Sequence, residues 1–227
     1  MSEERTKSKE MLAIRFDMES EDGISRSMYN LSIGLTVAFG CIINALVARL
    51  LTGQLLRLNP IVLLIVYFAG TIASQIVINK TEKPAVAFLG FIGLALAMSL
   101  TLTFIVAYYS DATVERAMWI TAAITAAMTL ASTLLPRVFL SMGKVLGMTL
   151  LLVIIANVVV LLFFRNLAAV FDYVFIAIFA GYIGFDWARA QNRPATIVNA
   201  IRSAAAIYVD VLNIFIRILA IIGRKRD

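Results

Sequence analysis

The chain has 227 residues, of which 61% are hydrophobic and only 15% charged, and its mean hydropathy is +0.91. A soluble domain of this size has no interior large enough to hide so much apolar surface, so the solvent must be lipid and a separate soluble domain is excluded. A formal charge of +6 and a pI near 9.7 would suggest nucleic acid as partner of a soluble protein, but these bases stand singly at the ends of apolar runs, where they read as membrane anchors and topology signals.

Residues 1–27 mix acids such as Glu3, Glu10 and Asp17 with bases such as Arg5, Lys7 and Arg15, which predicts a solvated, mobile tail. It is not a signal peptide, because the apolar run after it begins too late and is too long. Seven apolar runs follow, at 28–50, 60–79, 84–108, 113–135, 142–164, 168–188 and 197–222. Each is near the roughly 20 residues that cross a hydrocarbon core of about 30 Å. They predict an all-α transmembrane domain over 28–222, followed by a short basic tail at 223–227. The connectors are short and punctuated by charge or proline, so successive helices are antiparallel neighbours. A cytoplasmic N-terminus puts the tail bases together with Lys80, Lys83, Arg137, Lys144, Arg189 and Arg193, and the positive-inside rule favours that orientation. The membrane is expected to be the bacterial cytoplasmic one, since the chain is compact and lacks organelle signals. The Arg224-Lys-Arg226 tail argues against an exterior C-terminus; a seventh segment entering and leaving on one face would put both ends inside.

Cys41, the single cysteine, falls in the first run, and there is no histidine. That excludes an intramolecular disulfide, the usual zinc ligands and the ordinary neutral-pH switch, so no cofactor is expected and any pH sensing falls to carboxylates. Gly143 and Gly147 have GxxxG spacing, which at a helix start reads as close packing. Asn44, Asn157 and the hydroxyls of Thr101, Thr103, Thr121, Thr125 and Thr129 either line a path or satisfy neighbouring helices with hydrogen bonds, the second being the commoner arrangement at helix interfaces.

Two aspartates carry the chemistry. Asp210 stands in Ile207-Tyr-Val-Asp-Val-Leu-Asn213-Ile-Phe215, roughly 20 Å from the start of its run at 1.5 Å per residue. An ionised carboxylate near mid-membrane costs at least about 2.5–3.5 kcal/mol, so such residues face a bundle interior or watery cavity and mark an ion or proton route. The bland alternative is a protonated Asp acting as glue between helices, with Tyr208 and Asn213 as further glue. Asp186, in Gly181-Tyr-Ile-Gly-Phe-Asp186-Trp, lies near the end of the sixth run, where an interfacial role competes with a functional one. If the two meet, both cannot ionise cheaply, and the titration belongs to the pair. Protonated, they share a hydrogen bond; ionised, they repel and offer hard oxygen ligands, too few for tight calcium binding but suited to an ion that must also leave. An ideal hairpin turning near Arg193 sets Asp186 opposite about residue 201, offsets the aspartates by roughly 13 Å and places Arg202 beside Asp186. An Asp186–Arg202 ion pair is therefore the structural competitor.

At these residues the chain resembles the Bax inhibitor-1 family, also called the transmembrane BAX inhibitor motif family. Ile207-Tyr-Val-Asp-Val-Leu-Asn-Ile-Phe followed by Gly223-Arg-Lys-Arg is similar to its closing signature, and Gly181-Tyr-Ile-Gly-Phe-Asp186 to its sixth-helix motif, where Phe185 replaces the usual Tyr. The resemblance implies a seven-helix bundle with the seventh helix central, and a calcium path gated by protonation of the aspartate pair. It further implies a cation at the end of the second helix that latches onto Asp186. Lys80 matches that position, although the family pattern there has Arg, whose planar fork Lys lacks; Arg202 would substitute or compete. The reading is a pH-sensitive calcium-leak channel or calcium/proton exchanger, not an enzyme, with Asp186 and Asp210 as sensor and weak calcium site. Its partners are the bilayer, calcium and protons, and no nucleic acid. The rival is an interaction protein whose tail docks on a membrane protein partner, since some bacterial relatives modulate a membrane-bound protease. An intramembrane aspartyl protease has the two aspartates in its favour but lacks the Gly-Asp setting of such enzymes.

Overall fold

The computed structural model describes residues 23–163 and 168–223, and all regular structure in them is helical. The helices are α1 (Arg26–Leu55), α2 (Pro60–Lys80), α3 (Pro84–Val106), α4 (Asp111–Leu134), α5 (Pro136–Ser141), α6 (Gly143–Phe163), α7 (Ala168–Gln191) and α8 (Ile197–Gly223). Seven of them, all but α5, are long and apolar enough to cross a membrane. The charged tail before residue 23 and the basic tail after residue 223 lie outside the described residues.

Local chemistry sets the boundaries. The Ser25 side chain accepts from the Met28 N–H at 3.2 Å and that of Asn59 from the Ile61 N–H at 2.8 Å, each satisfying a donor that the first helical turn leaves open. Proline opens α2, α3 and α5, at the one helical position where its missing N–H costs nothing. The first apolar run was expected to end at residue 50, but α1 continues to Leu55. Beyond Leu55 the chain tightens into a turn, the Arg57 N–H donating to the Gln54 carbonyl at 3.2 Å and the Leu58 N–H to that of Leu55 at 3.0 Å, and Pro60 disfavours helix at Asn59.

The seventh crossing is the central one. α8 packs against α1, α2, α3, α4 and α7, and every one of its residues is buried or half-buried. Its polar residues, among them Asn199, Arg202, Asp210 and Asn213, are thus enclosed by the bundle, and small residues such as Ala200, Ser203 and Ala204 let five neighbours approach it. It runs unbroken for 27 residues, so no seventh segment turns back to the face it entered. By contrast α6 packs on α7 and α5 and leaves Leu151, Leu152 and Ile155 to lipid.

The lower half of α7, which carries Asp186, is fixed from two sides. On one, the Ser132 hydroxyl donates to the Gly184 carbonyl and the Trp187 Nε1–H to the Thr133 hydroxyl at 2.9 Å. On the other, the Phe139 ring of α5 presses against Gly184, where a Cβ would overlap it, and Phe185 fills the space over Gly143. The GxxxG of α6 thus receives α7 of the same chain. Gly184→Leu is expected to cost about 1–3 kcal/mol by overpacking this contact, read as a lower melting temperature in detergent; an unchanged value would show that Phe139 moves aside freely.

Residues 192–196 join α7 to α8 without helix. The α1 N-terminus holds them there: the Ile24 N–H donates to the Ala195 carbonyl at 2.8 Å, Arg26 Nη2 to the Arg193 carbonyl at 2.8 Å, and the buried Tyr29 hydroxyl bonds both Ala190 O and Ser203 Oγ at 3.2 Å. Five such residues span up to about 16 Å, more than helix would, so α8 can begin beyond the end of α7 and must climb further before it draws level with Asp186.

Candidate functional site

That displaced start resolves the competition over Asp186. The Asp210 carboxyl lies within hydrogen-bonding reach of the Asp186 carboxyl and feels its charge. Asp210 sits thirteen residues above the start of α8 and Asp186 five residues from the end of α7, so the extended turn absorbs an offset of about 12 Å. The ideal hairpin, which continues both helices to the turn, misses this.

Arg202 is correspondingly not at Asp186. Its guanidinium donates to the carbonyls of Ile78, Asn79 and Thr81 at 3.2, 3.2 and 2.8 Å, and to Glu82 Oε1 at 2.9 Å. The Glu82 side chain is 81% exposed, so that ion pair contributes little. The carbonyls matter more: they are the open acceptors at the end of α2, and a cation satisfies both their hydrogen bonds and the negative end of the helix dipole. Lys80, expected as a latch on Asp186, is exposed at the last turn of α2. The cations acting on Asp186 are Arg189 and Arg193. Arg193, in the turn outside the spanning helices, has its guanidinium pKa lowered by burial and then by the neighbouring Arg189, yet a guanidinium stays charged at any ordinary pH. Arg202→Gln should lower the melting temperature by several degrees, since it removes charge-assisted bonds worth about 1.5–3 kcal/mol, whereas Lys80→Gln should leave it unmoved; equal effects would return Lys80 to the junction.

The two expected supporting groups are elsewhere. The Tyr208 hydroxyl donates to Asn44 Oδ1 at 3.0 Å, and its ring meets Phe91 edge-on with centroids 5.3 Å apart. Asn213 donates to the Val209 carbonyl of its own helix at 2.8 Å. Tyr182 is the side chain that does approach the pair, acted on by both aspartates. It stands four residues before Asp186 on the same helical face, a spacing from which this nearness was readable.

Asp210 is 6% exposed, and its buried Oδ2 receives no hydrogen bond from the described residues. Two facing carboxyls form a hydrogen bond only if one carries a proton. No cluster of three or more His, Cys, Asp or Glu occurs among the described residues. A calcium ion at this pair would complete its six to eight oxygens from carbonyls and water, the composition of a weak site.

An ion pair joins α7 and α8 toward their other ends, and the sequence reading passed over it. Arg217 Nη1 lies 3.0 Å from Asp172 Oδ1, and the guanidinium stacks 4.2 Å over the Phe175 ring. Asp172 is 4% exposed. Both residues lie inside apolar runs, the same signal that singled out Asp210.

The model of the family described as Inhibitor of apoptosis-promoting Bax1 matches residues 26–227. No curated protein matches the chain.

Proposed function

The chain belongs to the Bax inhibitor-1 family, and on that premise we propose that it is a pH-sensitive calcium-leak channel or calcium/proton exchanger, a transport protein and not an enzyme, gated by the Asp186–Asp210 pair. The observation that carries this reading is the meeting of two carboxyls from α7 and α8 within the membrane-spanning bundle, one of them almost fully buried. With a proton between them, the pair ties α7 to the central helix and offers no site to a cation. Without it, two negative charges repel and present oxygens that a divalent cation can bridge. Loss of the proton thus opens the contact and creates the ion site in one step. The short reach of the site suits a transported ion, which must bind and leave.

Calcium flux into proteoliposomes at stepped pH tests it. Flux should rise as pH rises through the titration of the pair, and a flux with no pH dependence would sink the reading.

A further inference from the structure

Three helices meet at one hydroxyl. Tyr29, at the start of α1, is fully buried, and its hydroxyl lies 3.2 Å from both the Ala190 carbonyl of α7 and Ser203 Oγ of α8. Its single proton goes to the carbonyl, so it accepts from Ser203; Ser203 Oγ in turn accepts from Arg193 Nη1 at 3.5 Å. A buried tyrosine needs only one partner for its hydroxyl. This one takes two, and they stand on the two helices that carry the aspartates. Ala190 follows Asp186 by four residues, one turn along the same face of α7, and Ser203 precedes Asp210 by seven, two turns along the same face of α8. Beside the bridge, Gln191 Nε2 donates to Asn30 Oδ1 at 2.9 Å, a further bond from the end of α7 to α1. Apolar contact between α7 and α8 is non-directional, whereas a hydrogen bond weakens steeply off its geometry. The Tyr29 bridge therefore fixes the level at which the two helices stand relative to each other.

We propose that Tyr29 is a positioning residue for the Asp186–Asp210 pair: by bridging Ala190 and Ser203 it holds the two carboxyls level, and so sets the pH at which they part with their shared proton. The effect on flux rests on the gating reading above; the effect on the titration does not. Tyr29 acts through position alone, because the groups that act on the pair by charge are others. They are Arg189 and Arg193, and Tyr182 stands beside them. Arg26 of α1 lies on the Arg193 carbonyl and Arg202 on the end of α2. Lys80 of α2, Arg137 of α5 and Lys144 of α6 are exposed. Asp111, Glu115 and Arg116 of α4 are at the opposite end of that helix from Ser132, which touches α7 at Gly184, and α3 has no ionisable residue.

Tyr29→Phe removes the hydroxyl and keeps the ring. The full chain in liposomes is titrated by infrared spectroscopy, following the protonated-carboxyl band that Asp210→Asn removes. In Tyr29→Phe the midpoint of that band should fall by about one pH unit, a tenfold loss of proton affinity, because carboxyls that stand further apart oppose each other's ionisation less. Calcium flux should then rise at correspondingly lower pH. Tyr208→Phe is the matched control: it takes an equally buried hydroxyl from between α1 and α8, the one bonded to Asn44, and should leave the midpoint in place. Ser203→Ala breaks the bridge from the α8 side, should reproduce Tyr29→Phe, and replaces it if that variant does not fold. A midpoint unmoved by Tyr29→Phe and Ser203→Ala, or moved as far by Tyr208→Phe, would overturn the assignment. A band that shifts in Tyr29→Phe while parent flux ignores pH would strike the gating reading and leave the positioning role standing.

Discussion

Asp210→Asn is expected to abolish the pH-dependent part of calcium flux in proteoliposomes, with flux at high pH falling about tenfold or more as one of two carboxylate ligands disappears. The substitution is nearly isosteric, and the carboxamide donates to Asp186 at every pH. The bond that a proton makes and unmakes in the parent becomes permanent, and with it the closed arrangement. Asp186→Asn should remove the same pH dependence, because the titration belongs to the pair. It acts from a less buried position faced by Arg189 and Arg193, so its residual flux is expected to respond to those arginines, which Asp210→Asn leaves alone. Parent-like pH dependence in Asp210→Asn, in protein that elutes normally on gel filtration, would end the gating mechanism.

The largest loss of stability is expected from Asp172→Ala. It leaves the Arg217 guanidinium among apolar helices with the Phe175 ring in place of a carboxylate. Removing one partner of a buried pair costs about 3–5 kcal/mol, because the other charge stays desolvated. The lower figure applies, since the Arg217 side chain is 30% exposed and can bend toward the interface. A cation over a ring recovers only about 1–2 kcal/mol. The Asp172→Ala, Arg217→Met double variant should therefore regain most of the lost melting temperature. A double variant less stable than the single would show that Arg217 has another role worth more than its pairing.

Seven crossings were legible because hydropathy registers the solvent directly, and lipid leaves little choice about backbone structure. The packing of α8 was less so. Its central place came from resemblance, and only its small residues hint at it in the sequence. The contact of Asp186 with Asp210 depended on something periodicity does not encode, the length of chain at 192–196 that leaves the helix. Pro194 marks a break there, yet its extent is set by Ile24, Arg26 and Tyr29 from the far end of the chain. Arg202 shows the same limit. Counting along a hairpin finds the carboxylate in sequence reach, whereas the guanidinium goes to the open end of α2, whose carbonyls are displayed only after the bundle assembles.

Asp172 and Asp186 are fourteen residues apart on α7, about 21 Å along its axis, and each is tied to the same partner helix. One tie is an arginine, whose charge no ordinary pH removes; the other, in the proposed mechanism, is a proton. Two rods riveted at one end and clasped at the other behave as tweezers. Parting the tips by about 3 Å, near the length of one hydrogen bond, needs a swing of roughly 8° over that 21 Å arm. Under the proposed gating the opening is confined to the Asp186 end, and α4 and α5, which hold α7 at Gly184 and Trp187, move with it.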